Sequence, residues 1–393
     1  MTDAIAAMLD ASHELDFAAY QAFARETDRS AQTGGEHLNF LLLGLFGEVG
    51  SLLSELKKKQ RDKNAYFAYA QSAQEETGDV LWYLANVASE LGLSLADLAT
   101  RALGEGSSTR RLERFTDLQQ QHSLFQEPAS TPYVQRSLLR LAARTGRLVH
   151  RTGLGEVEPE DLRSDLVRIF EALVRAASDA HISLERAARY NVEKILDRWP
   201  IRKIYTPLFD VRFDGDERLP RRLEVVFREK AVRGTNYVFQ SVNGINLGDR
   251  LTDSSADEDD YRFHDVFHLA YLAVLGWSPV LRALLRLKRK SDREVDEQQD
   301  GARAIITEEG ISNWIFAHGL RHQAFAGVDS VDFNLLKTIR QMVKGYEVEI
   351  CPLWMWEEAI LQGFAAFRQL KANRGGVVIA DTETRTLSCR AVA

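Results

Sequence analysis

Cysteine is nearly absent from this sequence of 393 residues, which contains only Cys351 and Cys389 and no C-x-x-C pair. A disulfide framework or a structural zinc site built from thiolates is therefore excluded. The sequence also lacks the run of about 18 or more apolar residues that a membrane span requires, and its first residues lack the basic and apolar stretches of a signal peptide. We therefore expect a cytoplasmic protein with no membrane partner.

An excess of basic residues is missing as well. The 50 Lys and Arg residues are outnumbered by 57 Asp and Glu residues, which gives a formal net charge of −7. A protein that binds nucleic acid over a broad surface needs a basic footprint, so we do not expect that function. The length and the apolar content of 45% suffice for two or three domains that each bury a core.

Acidic residues inside two apolar helical patterns are the most informative feature that is present. The first pattern contains Glu48, and the second contains Glu76 and Asp79. Glu76 and Asp79 are three residues apart, so both carboxylates project from one face of a helix. Because an unpaired buried carboxylate is costly, three such oxygen ligands predict a hard divalent cation, Mg²⁺ with Mn²⁺ as its substitute. The alternative is two amphipathic helices whose acids lie at the solvent edge.

The G-E-V-G segment around Glu48 and the E-x-x-D helix after it resemble the all-α nucleoside triphosphate pyrophosphohydrolase superfamily, the group of MazG and dCTP pyrophosphatase. The pattern of that family is E-x-x-E on one helix and E-x-x-D on the next, and its four acids hold magnesium against a nucleoside triphosphate. By this resemblance Glu48 corresponds to the first acid, Glu76 to the third and Asp79 to the fourth. The second position is Ser51, so one charge of the family pattern is missing.

Two further acids near the motif are candidates for a second ion. Glu55 lies seven residues after Glu48, which places it about 10 Å further along the helix axis, too far to replace Ser51 at the same ion. Glu75 directly precedes Glu76. Glu55 or Glu75 could serve a second metal, and the sequence leaves this open.

An internal repeat follows the motif. Residues 135–153 echo 39–57, and residues 164–184 align without a gap on 75–95. The resemblance implies two such units fused into one chain as a pseudo-dimer, and a homodimer of the whole chain is also compatible with it.

The second copy carries arginines opposite two of the three acids and opposite Ser51, and it keeps an acid, Asp165, opposite Glu76. In the aligned register Arg144 stands opposite Glu48, Arg147 opposite Ser51 and Arg168 opposite Asp79. Two interpretations are open. The second copy needs no metal and its sequence has drifted, or these arginines contact phosphate oxygens. We count Arg144 and Arg147 as phosphate-binding candidates, with Lys57, Lys58 and Arg61 after the first motif.

The C-terminal third has a different pattern of residues, with strand-forming segments as well as helical ones. The residue pattern predicts a pair of strands at 223–231 and 236–247 and a hairpin at 376–391. A helical block, roughly 258–372, separates them. We therefore predict a mainly α protein in which a tandem MazG-like helical bundle precedes an α+β domain with a small antiparallel sheet. The predicted divisions are 1–103 with the acidic site, a linker at 104–132, the degenerate repeat at 133–200 and the α+β domain at 201–393.

A second polar cluster lies in this last domain. His264 and His268 have the i, i+4 spacing that lets two imidazoles reach one metal, and Asp265 lies between them. Glu308 falls on an apolar stripe and needs a buried partner, for which either histidine is a candidate, and Glu309 neighbours it. A second metal site and a buried His–Glu hydrogen-bond network are both open.

The resemblance implies hydrolysis of a nucleoside triphosphate to the monophosphate and pyrophosphate with magnesium. Glu48, Glu76 and Asp79 would be the catalytic acids. Because Ser51 weakens the expected metal site, one alternative is a nucleotide-binding sensor or regulatory protein with weak or no catalysis. Another is a metallohydrolase acting on nucleotides, centred on the C-terminal histidines.

Overall fold

The computed structural model describes residue 5 and the ranges 8–10, 12–103, 111–119, 128–153 and 159–392. The chain forms two compact units, Met1–Leu196 and Asp197–Ala393. Of the predicted linker at 104–132, residues 104–110 and 120–127 lie outside the described residues. Its described part includes a single 3₁₀ turn, Phe115–Leu118.

The first unit is helical. Its described helices are α1 (Phe17–Glu26), α2 (Gly35–Asp62), α3 (Tyr69–Glu90), α4 (Leu95–Leu103), α5 (Pro132–Gly153), α6 (Pro159–Asp179) and α7 (Leu184–Arg198). Helix α2 packs against α3 and α5, α5 packs against α6, and α4 packs against α6. One hydrophobic core runs through these helices. The predicted division of this unit into two repeats stays a prediction.

Local signals in the sequence explain where two of these helices begin. Asp16 caps α1, because its carboxylate accepts hydrogen bonds from the backbone N–H groups of Ala18 and Ala19. Ser94 precedes α4, and its hydroxyl accepts a hydrogen bond from the N–H of Asp97 at 3.4 Å. Both side chains satisfy backbone donors that the helix itself leaves without a partner.

Gly78 allows α7 to approach α3 closely. A Cβ atom at this position would lie 2.5 Å from the carbonyl oxygen of Ala187 and 3.0 Å from the Cβ of Asn191. The buried hydroxyl of Tyr20 donates to the Asn191 side chain at 3.2 Å and so ties α1 to the same place. Since Asp79 directly follows Gly78, the close approach sets polar side chains of α7 beside an acid of the motif.

One helix differs from the sequence expectation about membranes. Among the described residues, the stretch Gly35–Ala65 is long and apolar enough, by length and composition alone, to cross a membrane. The leucine-rich part of α2 gives the helix this apolar character, although α2 also contains Glu48 and Glu55. Core helices of helical bundles meet the same criterion, so it is weak evidence.

The second unit combines a sheet with helices, as predicted. Its strands are β1 (Arg222–Val232), β2 (Thr235–Val242), β3 (Ile245–Asn246), β4 (Gly375–Asp381) and β5 (Thr386–Arg390). They form an antiparallel sheet in the order β3-β2-β1-β4-β5. The described helices are α8 (Val266–Leu275), α9 (Pro279–Leu284), α10 (Arg293–Gln298), α11 (Ala302–Arg321), α12 (Phe333–Met342) and α13 (Leu353–Asn373).

The sheet positions the histidine-bearing helix. Alternate residues of β1, namely Leu223, Val225 and Phe227, are buried, which is the period-two pattern of a half-covered sheet. Helices α8 and α13 pack against each other and against β4 and β5. Every residue of α8 is buried, so His268 is held deep inside this unit.

We predict that Gly78→Ala destabilises the first unit by about 2 kcal/mol, because the added methyl group cannot fit against the backbone of α7 without a shift. Chemical denaturation of the full chain, followed by circular dichroism, measures the loss. Gly50→Ala is the matched control, since a Cβ there meets nothing within 4 Å. It should leave stability unchanged or raise it by up to about 1 kcal/mol. Equal effects of the two substitutions would contradict the close approach.

Candidate metal centres

The two-helix motif brings its three acids together. Glu48 from α2 and Glu76 and Asp79 from α3 each place one carboxylate oxygen within 4.8 Å of the others. All three residues are half-buried. The arrangement has the oxygen donors that Mg²⁺ prefers, so the residues present fit that ion.

These carboxylates oppose one another's ionisation. Burial, together with the neighbouring Asp79 and Glu48 carboxylates, raises the pKa of Glu76 to about 8. Burial, with Asp79, also raises the pKa of Glu48. A cation among the three would remove the repulsion that disfavours their charged forms.

Two residues of α7 complete the cluster, and sequence reasoning did not include them in the site. Asn191 donates a hydrogen bond from Nδ2 to Asp79 at 2.8 Å, and Lys194 forms a salt bridge with the same carboxylate. The Lys194 ammonium also lies 3.4 Å from Glu75. Burial raises the pKa of Asp79 even with these partners in place. The detectable signal was the i, i+3 spacing of Asn191 and Lys194, which puts both on one face of α7.

By its position in the chain, helix α7, which carries these residues, falls in the predicted second repeat at 133–200. In the structure its Asn191 and Lys194 contact Asp79 of α3, which also carries Glu76. Tertiary packing, rather than order along the chain, determines which acids this helix contacts.

Glu55 lies outside the carboxylate cluster. It is buried, and it accepts hydrogen bonds from the hydroxyl of Tyr66 and from Lys58 Nζ, the latter at 2.6 Å. The sequence argument placed Glu55 too far along the helix to replace Ser51 at the same ion. Its hydrogen bonds to Tyr66 and Lys58, away from the three acids, agree with that argument. Glu75, in contrast, shares Lys194 with Asp79 and borders the cluster.

The basic candidates after the motif have different surroundings. Lys58 pairs with Glu55, and this hydrogen bond raises the lysine pKa. Arg61 pairs with its neighbour Asp62 through two hydrogen bonds of 2.7 and 2.8 Å. Lys57 is exposed on α2. A role in phosphate binding stays a prediction for all three.

The arginines of the predicted second repeat lie around one buried acid, Asp165. A cavity of about 300 Å³ is lined by Arg144, Arg147, Asp165 and Arg168. Arg144 donates to the backbone carbonyl of Arg168 at 3.0 Å and to Glu171 at 3.1 Å. Arg147 Nε lies 3.9 Å from Asp165. The grouping is compatible with phosphate binding and with simple neutralisation of Asp165.

In the second unit Glu308 is a structural partner of a histidine. It is fully buried and lies 2.8 Å from His268 Nδ1. It also accepts hydrogen bonds from the Ser278 hydroxyl at 2.6 Å and from the Val280 N–H at 2.8 Å. The expectation that this glutamate needs a buried partner is met by His268. Glu309 instead faces the other side of that imidazole, at 3.6 Å from Nε2.

Comparison with known proteins gives two matches. Residues 204–393 match the MazG C-terminal domain. The chain is also 34% identical over 77 residues to the Gene 37 protein of Mycobacterium phage L5, an alignment that covers 19% of this chain and 68% of that protein. The chain belongs to the MazG-like family. No solved structure matches it.

The family match covers the part of the chain that the sequence resemblance had left unassigned. The resemblance rests on Glu48, Glu76 and Asp79, whereas the matched domain contains the second cluster with His264 and His268. The relation to MazG indicates a nucleotide pyrophosphohydrolase-like function for the MazG-like chain.

We predict that Mg²⁺ raises the melting temperature of the MazG-like chain, because the ion relieves repulsion among the three carboxylates. The shift should be about 5 to 10 °C when Mg²⁺ exceeds its Kd about 100-fold. Thermal unfolding with and without Mg²⁺ measures it. Glu76→Gln should abolish the shift, and Glu36→Gln, an exposed acid at the start of the same helix α2, should preserve it. A shift that survives Glu76→Gln would place the ion elsewhere.

Proposed function

We propose that this chain is a magnesium-dependent nucleoside triphosphate pyrophosphohydrolase that releases a nucleoside monophosphate and pyrophosphate. The observation that carries the proposal is the convergence of Glu48, Glu76 and Asp79 from two helices, with Lys194 and Asn191 bound to the Asp79 carboxylate. The family relation supports the same reaction class.

Glu48, Glu76 and Asp79 would hold the magnesium ion. When bound, the ion neutralises phosphate charge and lowers the pKa of a bound water. Mn²⁺ has similar ligand preferences and is expected to substitute.

The remaining polar groups orient the acids. Lys194 and Asn191 both donate to the Asp79 carboxylate, which limits its rotation. Lys57, Lys58 and Arg61 are the proposed contacts for the polyphosphate, with Arg144 and Arg147 as a second set.

Ser51 favours one competing function. The family pattern has an acid at this position, and the hydroxyl supplies no charge. A protein with weakened metal binding and retained affinity for polyphosphate would act as a nucleotide sensor or regulatory protein.

We predict that the purified full chain releases pyrophosphate from at least one member of a panel of ribo- and deoxynucleoside triphosphates with Mg²⁺. Glu76→Gln should lower turnover on the order of 100-fold, because a ligand to the ion is lost. The assay measures pyrophosphate and nucleoside monophosphate together, since hydrolysis at the γ-phosphate would give neither. Glu36→Gln is the matched control and should keep full turnover.

Binding measurements on the same panel separate the alternatives. Tight nucleotide binding without pyrophosphate from any substrate would overturn the enzyme and favour the sensor. Turnover that persists in Glu76→Gln would show that the three acids are not the catalytic centre.

A further inference from the structure

The cluster in the second unit contains two imidazoles aimed at one point. His264 and Asp265 have right-handed helical backbone angles and lead directly into α8, so His264 and His268 are one helical turn apart on one face. Their ring centroids are 6.0 Å apart. One ring nitrogen from each histidine and a carboxylate oxygen of Glu309, from α11, lie within 4.8 Å of one another.

Hydrogen bonds on the far side of each ring assign the tautomers. His264 Nδ1 lies 2.9 Å from the carbonyl oxygen of Tyr261, which only accepts, so this nitrogen carries the proton. His268 Nδ1 donates in the same way to the Glu308 carboxylate at 2.8 Å. In the neutral rings both Nε2 atoms are therefore unprotonated and present lone pairs to the cluster.

The space between these lone pairs is surrounded by acceptors. Glu309 Oε2 lies 3.6 Å from His268 Nε2 and 3.8 Å from His264 Nε2, and Asp265 Oδ1 lies 3.1 Å from His264 Nε2. His268 is fully buried, and its Nε2 has no hydrogen-bond partner among the described residues. Facing acceptors repel one another unless a positive charge lies between them.

The distances and donor types suit a transition-metal ion. A tetrahedral zinc ion about 2.0 to 2.1 Å from each ligand holds its ligands about 3.4 Å apart, close to the two Glu309 distances. Two imidazoles and one carboxylate are also a donor set that zinc sites use. Magnesium prefers all-oxygen surroundings, so the two units differ in the ion that their donors select.

We propose that the second unit binds one first-row transition-metal dication, with zinc the best match, through His264 Nε2, His268 Nε2 and the Glu309 carboxylate. Glu308 orients His268 through Nδ1, the carboxylate–histidine–metal relay that such sites use. The Glu309 side chain is 43% exposed, whereas His268 is fully buried, so the fourth coordination position lies on the solvent side. This site is separate from the proposed pyrophosphohydrolase centre, which lies in the other unit.

Cobalt substitution of the full chain tests the proposal. After treatment with a chelator, the protein is titrated with Co²⁺, whose four-coordinate complexes absorb visible light far more strongly than six-coordinate oxygen sites do. We expect one equivalent to produce this absorption and one equivalent of Zn²⁺ to abolish it. Elemental analysis of protein reconstituted with Zn²⁺ and desalted should give one bound ion per chain.

Matched variants locate the ion. His264→Gln and Glu309→Gln should each lose the absorption and weaken Zn²⁺ binding at least about 10-fold. His318→Gln combined with His322→Gln removes another histidine pair at i, i+4 spacing in the same unit and should leave the signal intact. Glu76→Gln should also leave it intact.

Two results would overturn the proposal. If the folded full chain gives no four-coordinate cobalt absorption and retains no zinc, a protonated imidazole supplies the positive charge instead. If the signal survives both His264→Gln and Glu309→Gln but disappears with the His318 and His322 pair, the ion lies elsewhere. Neither result would affect the pyrophosphate assay, so the two proposals fail independently.

Discussion

Asp79 is held by two side chains that come from more than a hundred residues further along the chain. Lys194 and Asn191 reach it because α7 lies directly against α3 at Gly78. Without that approach the acids of α2 and α3 would face one another without the Lys194 ammonium. The close approach therefore sets both the packing of the first unit and the charge of its candidate centre.

Both clusters place negative or lone-pair groups around a point that needs positive charge. In the first unit Lys194 contacts two carboxylates, and the pKa of Glu76 stays raised to about 8. In the second unit the candidate ligand atoms include both imidazole nitrogens and a carboxylate oxygen. The two clusters favour different ions because their donor atoms differ. Carboxylate oxygens favour a hard ion, whereas imidazole nitrogens favour a softer one.

Much of this organisation could be predicted from the sequence. The i, i+3 spacing of Glu76 and Asp79 fixes their shared face, and the strand patterns after residue 222 predict the antiparallel sheet. Lys194 and Asn191 could not be assigned, because a pairing between α7 and α3 depends on tertiary packing that periodicity does not encode. Likewise, the apolar stripe predicts that Glu308 is buried, but only the packing of α8 on α11 shows that Glu309 faces the imidazole Nε2 atoms.

The central claim is that Glu48, Glu76 and Asp79 form a cation site that serves a nucleoside triphosphate. The most direct measurement is anomalous diffraction from crystals of the full chain grown with Mn²⁺ and a triphosphate analogue whose α–β bridge cannot be hydrolysed. The account predicts a manganese peak bounded by the three carboxylates, with the analogue's phosphates as further ligands. Ordered analogue in contact with the protein, without manganese at these carboxylates, would contradict it.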